Sequence, residues 1–208
     1  AAASAHPFLI DTYDHMDRLL SETPYIELIS KDFELRGFRL VDLVYTGSMV
    51  GLFTRGRPVR TMDDLRQLRL RVLSAADLDL LNAWQVRGVQ VAWEEVAQAL
   101  QTGMVDAYLN PPNIAPLFGH GAVLDYFTDL RMGPASRMMI ISNRWLETLT
   151  SSQKDSVEEA IEAGRTANRQ WTMHVETRDR EKLKETGIEW ITLTNDERQE
   201  WLEVSETI

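Results

Sequence analysis

Apolar and polar positions along the chain switch repeatedly between two rhythms. In residues 68–72, LRLRV, leucines and valine alternate with Arg69 and Arg71, the two-residue period of a strand with one buried face. Upstream, DTYDHMDRLLSE (11–22) and YIELISKDFELRG (25–37) read as helices, the second stopped at Gly37, a residue suited to the position after a helix. FRLVDLVYTG (38–47) reads as a strand, and GLFTRGRPVR (51–60) as a second extended segment broken by Gly56 and Pro58. Thr61 and Asp63 stand where they can cap a short helix, MDDLRQL (62–68), that delivers the chain into the strand RLRV. SAADLDLLNAW (74–84) then reads as a helix with Ser74 as its N-cap and Leu78, Leu81 and Trp84 on one face. VQVAW (89–93) is a short strand, EEVAQALQTG (94–103) a helix ended by Gly103, and MVDAYLN (104–110) another strand, closing at Asn110-Pro111-Pro112. Strand and helix signals alternate, so the pattern predicts an α/β architecture with largely parallel pairing.

The C-terminal third has a different rhythm. RMMIISNRW (137–145) predicts a buried strand. Residues 151–187 then run without proline, and Val157, Ala160, Ile161, Gly164, Ala167, Trp171 and Val175 form an apolar stripe at helical spacing. A helix of that length would reach about 50 Å at 1.5 Å per residue, so it either bridges two lobes or bends on the way. Gly187 ends it, IEWITL (188–193) forms a strand, and Thr194 with Glu197 makes a capping box for a last helix.

Charge and composition narrow the function. The chain has 208 residues, enough for one large domain or two small ones, with a formal net charge of -10. That balance argues against nucleic acid and against an anionic membrane surface. An anion could be bound only by a few local arginines working against a repulsive overall field. The absence of cysteine excludes thiol catalysis, disulfides and Cys-type zinc sites. The segment AAASAHPF shows no signal peptide, and no apolar run is long enough to span a bilayer.

Enzyme motifs do not assemble. His6, His15, His120 and His174 are scattered, and no GxSxG, P-loop or GxGxxG occurs. Asp11, Asp14 and Asp17 crowd around His15, but acidic residues in a first helical turn are favoured by the helix dipole and need no metal. Glu94 and Glu95 are adjacent helix positions and point about 100° apart, so they do not act as a pair. Binding features are more coherent. Arg71 ends a strand before a Ser-Ala-Ala turn, Trp93 ends the next before a helix, and Asn110 ends a third. Ligands of open α/β sheets sit beyond such strand ends. Singly, each has a plain structural explanation: an ion pair for Arg71, the core for Trp93, a turn for Asn110.

LRQLRLRVLSAADLDLLNAW, VQVAWEEVAQALQTGMVDAYLNPP and SNRWLETLTSSQKDSVEEA together resemble the solute-binding proteins of tripartite ATP-independent periplasmic (TRAP) transporters. The densest match runs Glu95-Val96, Ala99 to Gly103 and Val105-Asp106-Ala107 without a gap, whereas residues 1–60 match weakly. The resemblance implies a periplasmic binding protein-like, type II-like two-lobe α/β fold with a long lobe-spanning helix, lacking part of its first lobe. Residues 1–60 would be the remainder of that lobe and the crossover. Residues 61–150 would form the second lobe carrying the ligand arginine, and 151–208 the spanning helix, a strand and the terminal helix. It further implies that Arg71 makes a two-pronged salt bridge to a ligand carboxylate. Asn110 would help fix that arginine or the carboxylate, Trp93 would pack against the ligand, and Ser74 and Ala75 would line the turn. Arg137 would add a polar contact from a later strand; Arg55 and Arg57 lie near a region where some members carry a further arginine. The expected ligand is a small organic acid, the expected partner the membrane subunits of a TRAP transporter, and the location periplasmic. No cofactor, metal or nucleic acid is implied. Two other readings stay open: an enzyme on the same frame acting on a carboxylate, and a shortened remnant that binds nothing.

Overall fold

The structure, a computed structural model, describes residues 6–73 and 77–206. Helices α1 (Tyr13–Glu22) and α2 (Tyr25–Glu34) lead into the long strand β1 (Phe38–Met49), which passes through Val50 into β2 (Gly51–Thr54). Next come α3 (Met62–Arg66), β3 (Arg69–Val72), α4 (Leu78–Trp84), β4 (Arg87–Gln90), α5 (Val96–Thr102), β5 (Ala107–Asn110), α6 (Ile114–Phe118) and β6 (Tyr126–Asp129). β7 (Pro134–Ser142) returns to pair with β1 and is followed by α7 (Asn143–Glu147), α8 (Ser151–Thr172), α9 (Val175–Glu185), β8 (Glu189–Thr192) and α10 (Asn195–Ser205). Several caps read from the sequence are present, but Asp64 and not Asp63 joins Thr61, and the helix after β3 starts at Leu78 with Asp77 as its N-cap, Ser74 lying outside the described residues. Thr61 and Thr194 each close a capping box, with Asp64 and Glu197, and Gly37, Gly103 and Gly187 take positive φ at or just beyond helix ends.

The strands form two sheets. β1 and β7 make an antiparallel ribbon, and six strands make a mixed sheet in the order β4-β3-β5-β2-β6-β8. Within the six, β3 runs parallel to β4 and β5, β6 runs parallel to β8, and β2 alone is antiparallel to its neighbours. Alternation along each strand sends residues to opposite faces. Leu52 and Leu70 join Met62, Leu65, Trp84 and Trp201 on one face, while Phe53, Tyr108 and Phe127 join Val96, Leu100 and Leu183 on the other. The sheet is thus covered by α3, α4 and α10 on one side and by α5 and α9 on the other.

The ribbon is held differently, through polar groups. Arg165 Nη2 donates to Val41 O, Arg169 Nη1 to Leu43 O, and Asn168 brackets Tyr45, accepting from its N–H and donating to its C=O at 2.9 Å each. These alternate residues expose their backbone groups on the edge of β1 away from β7. Helix α8 therefore satisfies an open strand edge with side chains where a further strand would otherwise pair.

Three expectations need correction. The helix expected over 151–187 is two helices broken at Met173-His174, where the Thr172 hydroxyl binds Arg169 O and the turn sinks Val175 to full burial. Its apolar stripe is not its buried face. Val157, Ile161 and Trp171 are half-covered, but Ala160, Gly164 and Ala167 are exposed, because the contact to β1 runs through Arg165, Asn168 and Arg169. Likewise β7, expected to be buried, is half-exposed over most of its length, with Arg137 and Ile140 open. No helix among the described residues is long and apolar enough to cross a membrane.

Candidate functional site

The carboxyl ends of β3 and β5 and the start of β7 enclose a cleft of about 350 Å³. The ribbon contributes Thr46 and Pro134 to Arg137; the sheet contributes Arg71, Asp77, Asn110 and Pro111. Between ribbon and sheet the chain crosses twice, and the crossings bind each other, Val50 N to Gly133 O at 2.9 Å and Met132 N to Val50 O at 3.0 Å. This pair of short connections joins the ribbon to the sheet. Gly47 is needed beside it, since a Cβ there would stand 2.5 Å from Asn113 Oδ1 and 2.8 Å from Pro111 Cγ.

Arg71 is placed by the alternation that buries Leu70 and Val72 on the other face. Its Nε donates to Val91 O at 3.0 Å, and its guanidinium lies 5.5 Å from the centroid of the Trp93 ring. Its Nη2 is buried and has no partner among the described residues. No ion pair to Arg71 exists among them either: Asp77, on the cleft wall, accepts from Leu73 N. Burial pushes the guanidinium below its ordinary pKa, and the charges of Asp77 and Glu94 oppose that shift. A buried N–H without an acceptor costs about 1–3 kcal/mol, so Arg71 carries an unmet donor at this cleft.

The other expected residues fall as follows. Asn110 lines the cleft, and its side-chain amide makes no hydrogen bond among the described residues. Arg137 also lines it, exposed, with Nη1 on Ser136 O at 2.9 Å. Trp93 does not sit on the cleft wall. The strand before it ends at Gln90, and Trp93 opens a 3₁₀ turn that puts its ring behind Arg71, edge-on to Phe118 at 5.0 Å and to Tyr108 at 6.0 Å. Ser74 and Ala75 lie outside the described residues. Arg55 and Arg57 are at the opposite end of the sheet. Thr46, Asp77 and Ser136 were not singled out from the sequence. Asp77 carried a readable signal, an acid opening the helix after the arginine strand, whereas Thr46 and Ser136 reach the cleft only because the ribbon crosses over it.

Behind Trp93, His120 is 4% exposed and its Nδ1 lies 3.0 Å from the Tyr108 hydroxyl. Burial lowers the His120 pKa below its usual 6.5. The unfolded chain therefore takes up a proton, below pH 6.5, that the fold resists, and stability falls with pH from there towards the depressed folded value. Urea titrations between about pH 7 and pH 5 are expected to show wild type losing more stability than His120→Gln, which keeps an acceptor for Tyr108. Parallel curves for the two proteins would contradict this.

The family model for bacterial extracellular solute-binding protein, family 7, matches residues 1–208. Among curated relatives, the C4-dicarboxylate-binding periplasmic protein DctP of Rhodobacter capsulatus is 24% identical over 204 residues, which is 95% of this chain and 59% of the relative. The sialic acid-binding periplasmic protein SiaP of Vibrio cholerae is 25% identical over 197 residues, 93% of this chain and 59% of the relative. The chain thus spans about three-fifths of the length of these relatives. Among solved structures, the periplasmic ectoine-binding protein of the TeaABC TRAP transporter of Halomonas elongata superposes with a TM-score of 0.87 at 21% identity, over 98% of this chain and 67% of that one. A TRAP periplasmic solute-binding protein from Shewanella oneidensis, with bound succinate, gives 0.88 at 20% identity over the same shares. These likenesses establish the α/β fold of TRAP solute-binding proteins, present here over about two-thirds of its extent.

Proposed function

The chain belongs to the bacterial extracellular solute-binding proteins of family 7, and from that premise we propose that it captures a small organic acid in the periplasm for delivery to TRAP membrane subunits. The observation that carries this reading is the buried, unpartnered Nη2 of Arg71 at the cleft. A carboxylate there would take two parallel charge-assisted hydrogen bonds, a geometry the guanidinium fork favours and an ammonium lacks. The free amide of Asn110 stands on the same cleft, and Arg137 offers a second cation from the ribbon. An acid with a further anionic or polar group would bridge sheet and ribbon, and the paired crossings at Val50 and Gly133 would let the two approach around it.

Asp77 is the titratable group beside Arg71 on the cleft wall. Of the candidate acids and bases, Glu94 acts on Arg71 through its charge but does not line the cleft. His120 is sealed behind Trp93, and Asp106 is bound to Arg69 at the far end of β3, so the described residues support binding better than an enzymatic reading. A thermal-shift screen of mono- and dicarboxylates tests the reading, because a ligand stabilises the state it binds. The expected result is stabilisation by one group of acids, each recovered unaltered after incubation. Turnover would favour the enzyme, and no shift with any acid would favour a remnant that no longer binds.

A further inference from the structure

Five strands of the six-stranded sheet run in one direction and finish towards the cleft, so their starts gather at the opposite end. Arg69 opens β3 and Arg87 opens β4 there. Arg55 and Arg57 reach the same end because they follow β2, the strand that runs the other way. With Gln67 and Asp106 these four arginines line an open concavity of about 590 Å³, and all four are exposed.

Their contacts orient them without using them up. Arg55 Nη1 donates to the carbonyls of Leu100 and Gln101 at the end of α5, and Arg57 Nη1 donates to Gln67 Oε1. Arg69 makes a two-bond pair with Asp106, at 2.8 Å each. The Arg87 side chain makes no hydrogen bond or ion pair among the described residues. Asp125, which accepts from Gly56 N, and Asp64, which accepts from Arg60 N and Thr61 N and feels the charge of Arg57, also stand beside the cluster. Four guanidiniums thus meet three nearby carboxylates among the described residues, Asp106, Asp125 and Asp64, in a chain whose acidic residues outnumber basic ones 32 to 22.

We propose that this arginine cluster is a second anion-recognising surface, which docks an acidic segment of a protein partner. A small anion is the poorer fit, since no buried donor converges here and a single ion would stay solvated. An extended segment with several carboxylates can engage Arg87, Arg57 and the free edge of Arg55 together, each by a charge-assisted bond. A local positive surface on an acidic body also steers such a segment to this end and away from the rest. The proposal does not depend on what the cleft binds.

Fluorescence anisotropy of a labelled hexaglutamate peptide with the full chain tests it, beside a hexaglutamine control and inorganic phosphate as competitor. Hexaglutamate is expected to bind at about 50 mM salt and to weaken markedly at about 300 mM, with hexaglutamine silent. Arg57→Glu with Arg87→Glu should weaken binding at least about tenfold, and the milder Arg57→Gln with Arg87→Gln about threefold or more. Circular dichroism melting should show both variants folded, as expected for exposed side chains outside both cores. Absence of hexaglutamate binding, or equal binding by the charge-reversed variant, would overturn the proposal. So would full displacement by about 10 mM phosphate, which would mark a small-anion site instead.

Discussion

Replacing Arg71 with alanine is expected to weaken binding of the cognate acid at least about 100-fold, while leaving the ligand-free protein no less stable. Two charge-assisted bonds to one carboxylate are worth roughly 1.5–3 kcal/mol each, and losing both accounts for that fold-change with margin. The ligand-free side is the more telling one. Most buried polar side chains contribute to stability because they are paired, but Arg71 leaves Nη2 without an acceptor and has its charge disfavoured by burial. Arg71→Met, which keeps contact with the Trp93 ring and removes the charge, should raise ligand-free stability by about 1 kcal/mol in urea titrations. Arg71→Lys should not restore binding, since an ammonium cannot hold Val91 O and a carboxylate in one plane. Calorimetry that finds Arg71→Ala within threefold of wild type would refute the site, and a Met variant clearly less stable than wild type would mean that Arg71 is structural.

What the sequence made legible was local. The alternation in RLRV put Arg69 and Arg71 on one face and Leu70 and Val72 in the core, as found. Helix ends at Gly37, Gly103 and Gly187, and the caps at Thr61 and Thr194, were readable because each depends on a few neighbouring residues. What failed was whatever a distant segment decides. Ala160, Gly164 and Ala167 count as apolar at helical spacing, yet α8 turns its arginines and asparagine inward, because it covers a strand edge with unmet carbonyls and not a greasy surface. VQVAW reads as one strand, but the Ala92-Trp93 step starts a turn, and that turn moves the indole from the cleft wall to the back of the guanidinium. The ribbon's share of the cleft, Thr46 and Ser136, follows from a crossover that no local pattern encodes. Arg71 and Asn110 were singled out by position at strand ends and by resemblance, Arg137 by resemblance alone, and the structure does bring these three to one cleft.

The same ribbon supplies the largest expected loss of stability. Arg169 binds Asp17 Oδ1 through Nε at 3.1 Å, both oxygens of Asp42 through its two Nη at 3.2 and 3.3 Å, and Leu43 O at 2.9 Å. Its guanidinium also lies 4.7 Å from the Tyr45 ring centroid. One side chain thus ties α8, β1 and α1 together around Asp42, which is 6% exposed. Among the described residues, Arg169→Ala leaves that carboxylate with only the longer contact to Arg165, at 3.4 Å. Breaking one partner of a buried pair typically costs 3–5 kcal/mol, and the remaining Arg165 puts the expectation near the lower end, about 3 kcal/mol. Arg169→Lys should recover little, because a point charge cannot reach two carboxylates and a carbonyl at once. Adding Asp42→Ala to Arg169→Ala should return part of the loss, since the stranded carboxylate is what makes the single change costly. The damage should also be regional. Hydrogen exchange is expected to show β1 and β7 losing protection first, while β3 and β5, packed on both faces, keep theirs. A cost below about 1 kcal/mol, or equal loss of protection in both sheets, would show that α8 is held to the ribbon by something other than this arginine.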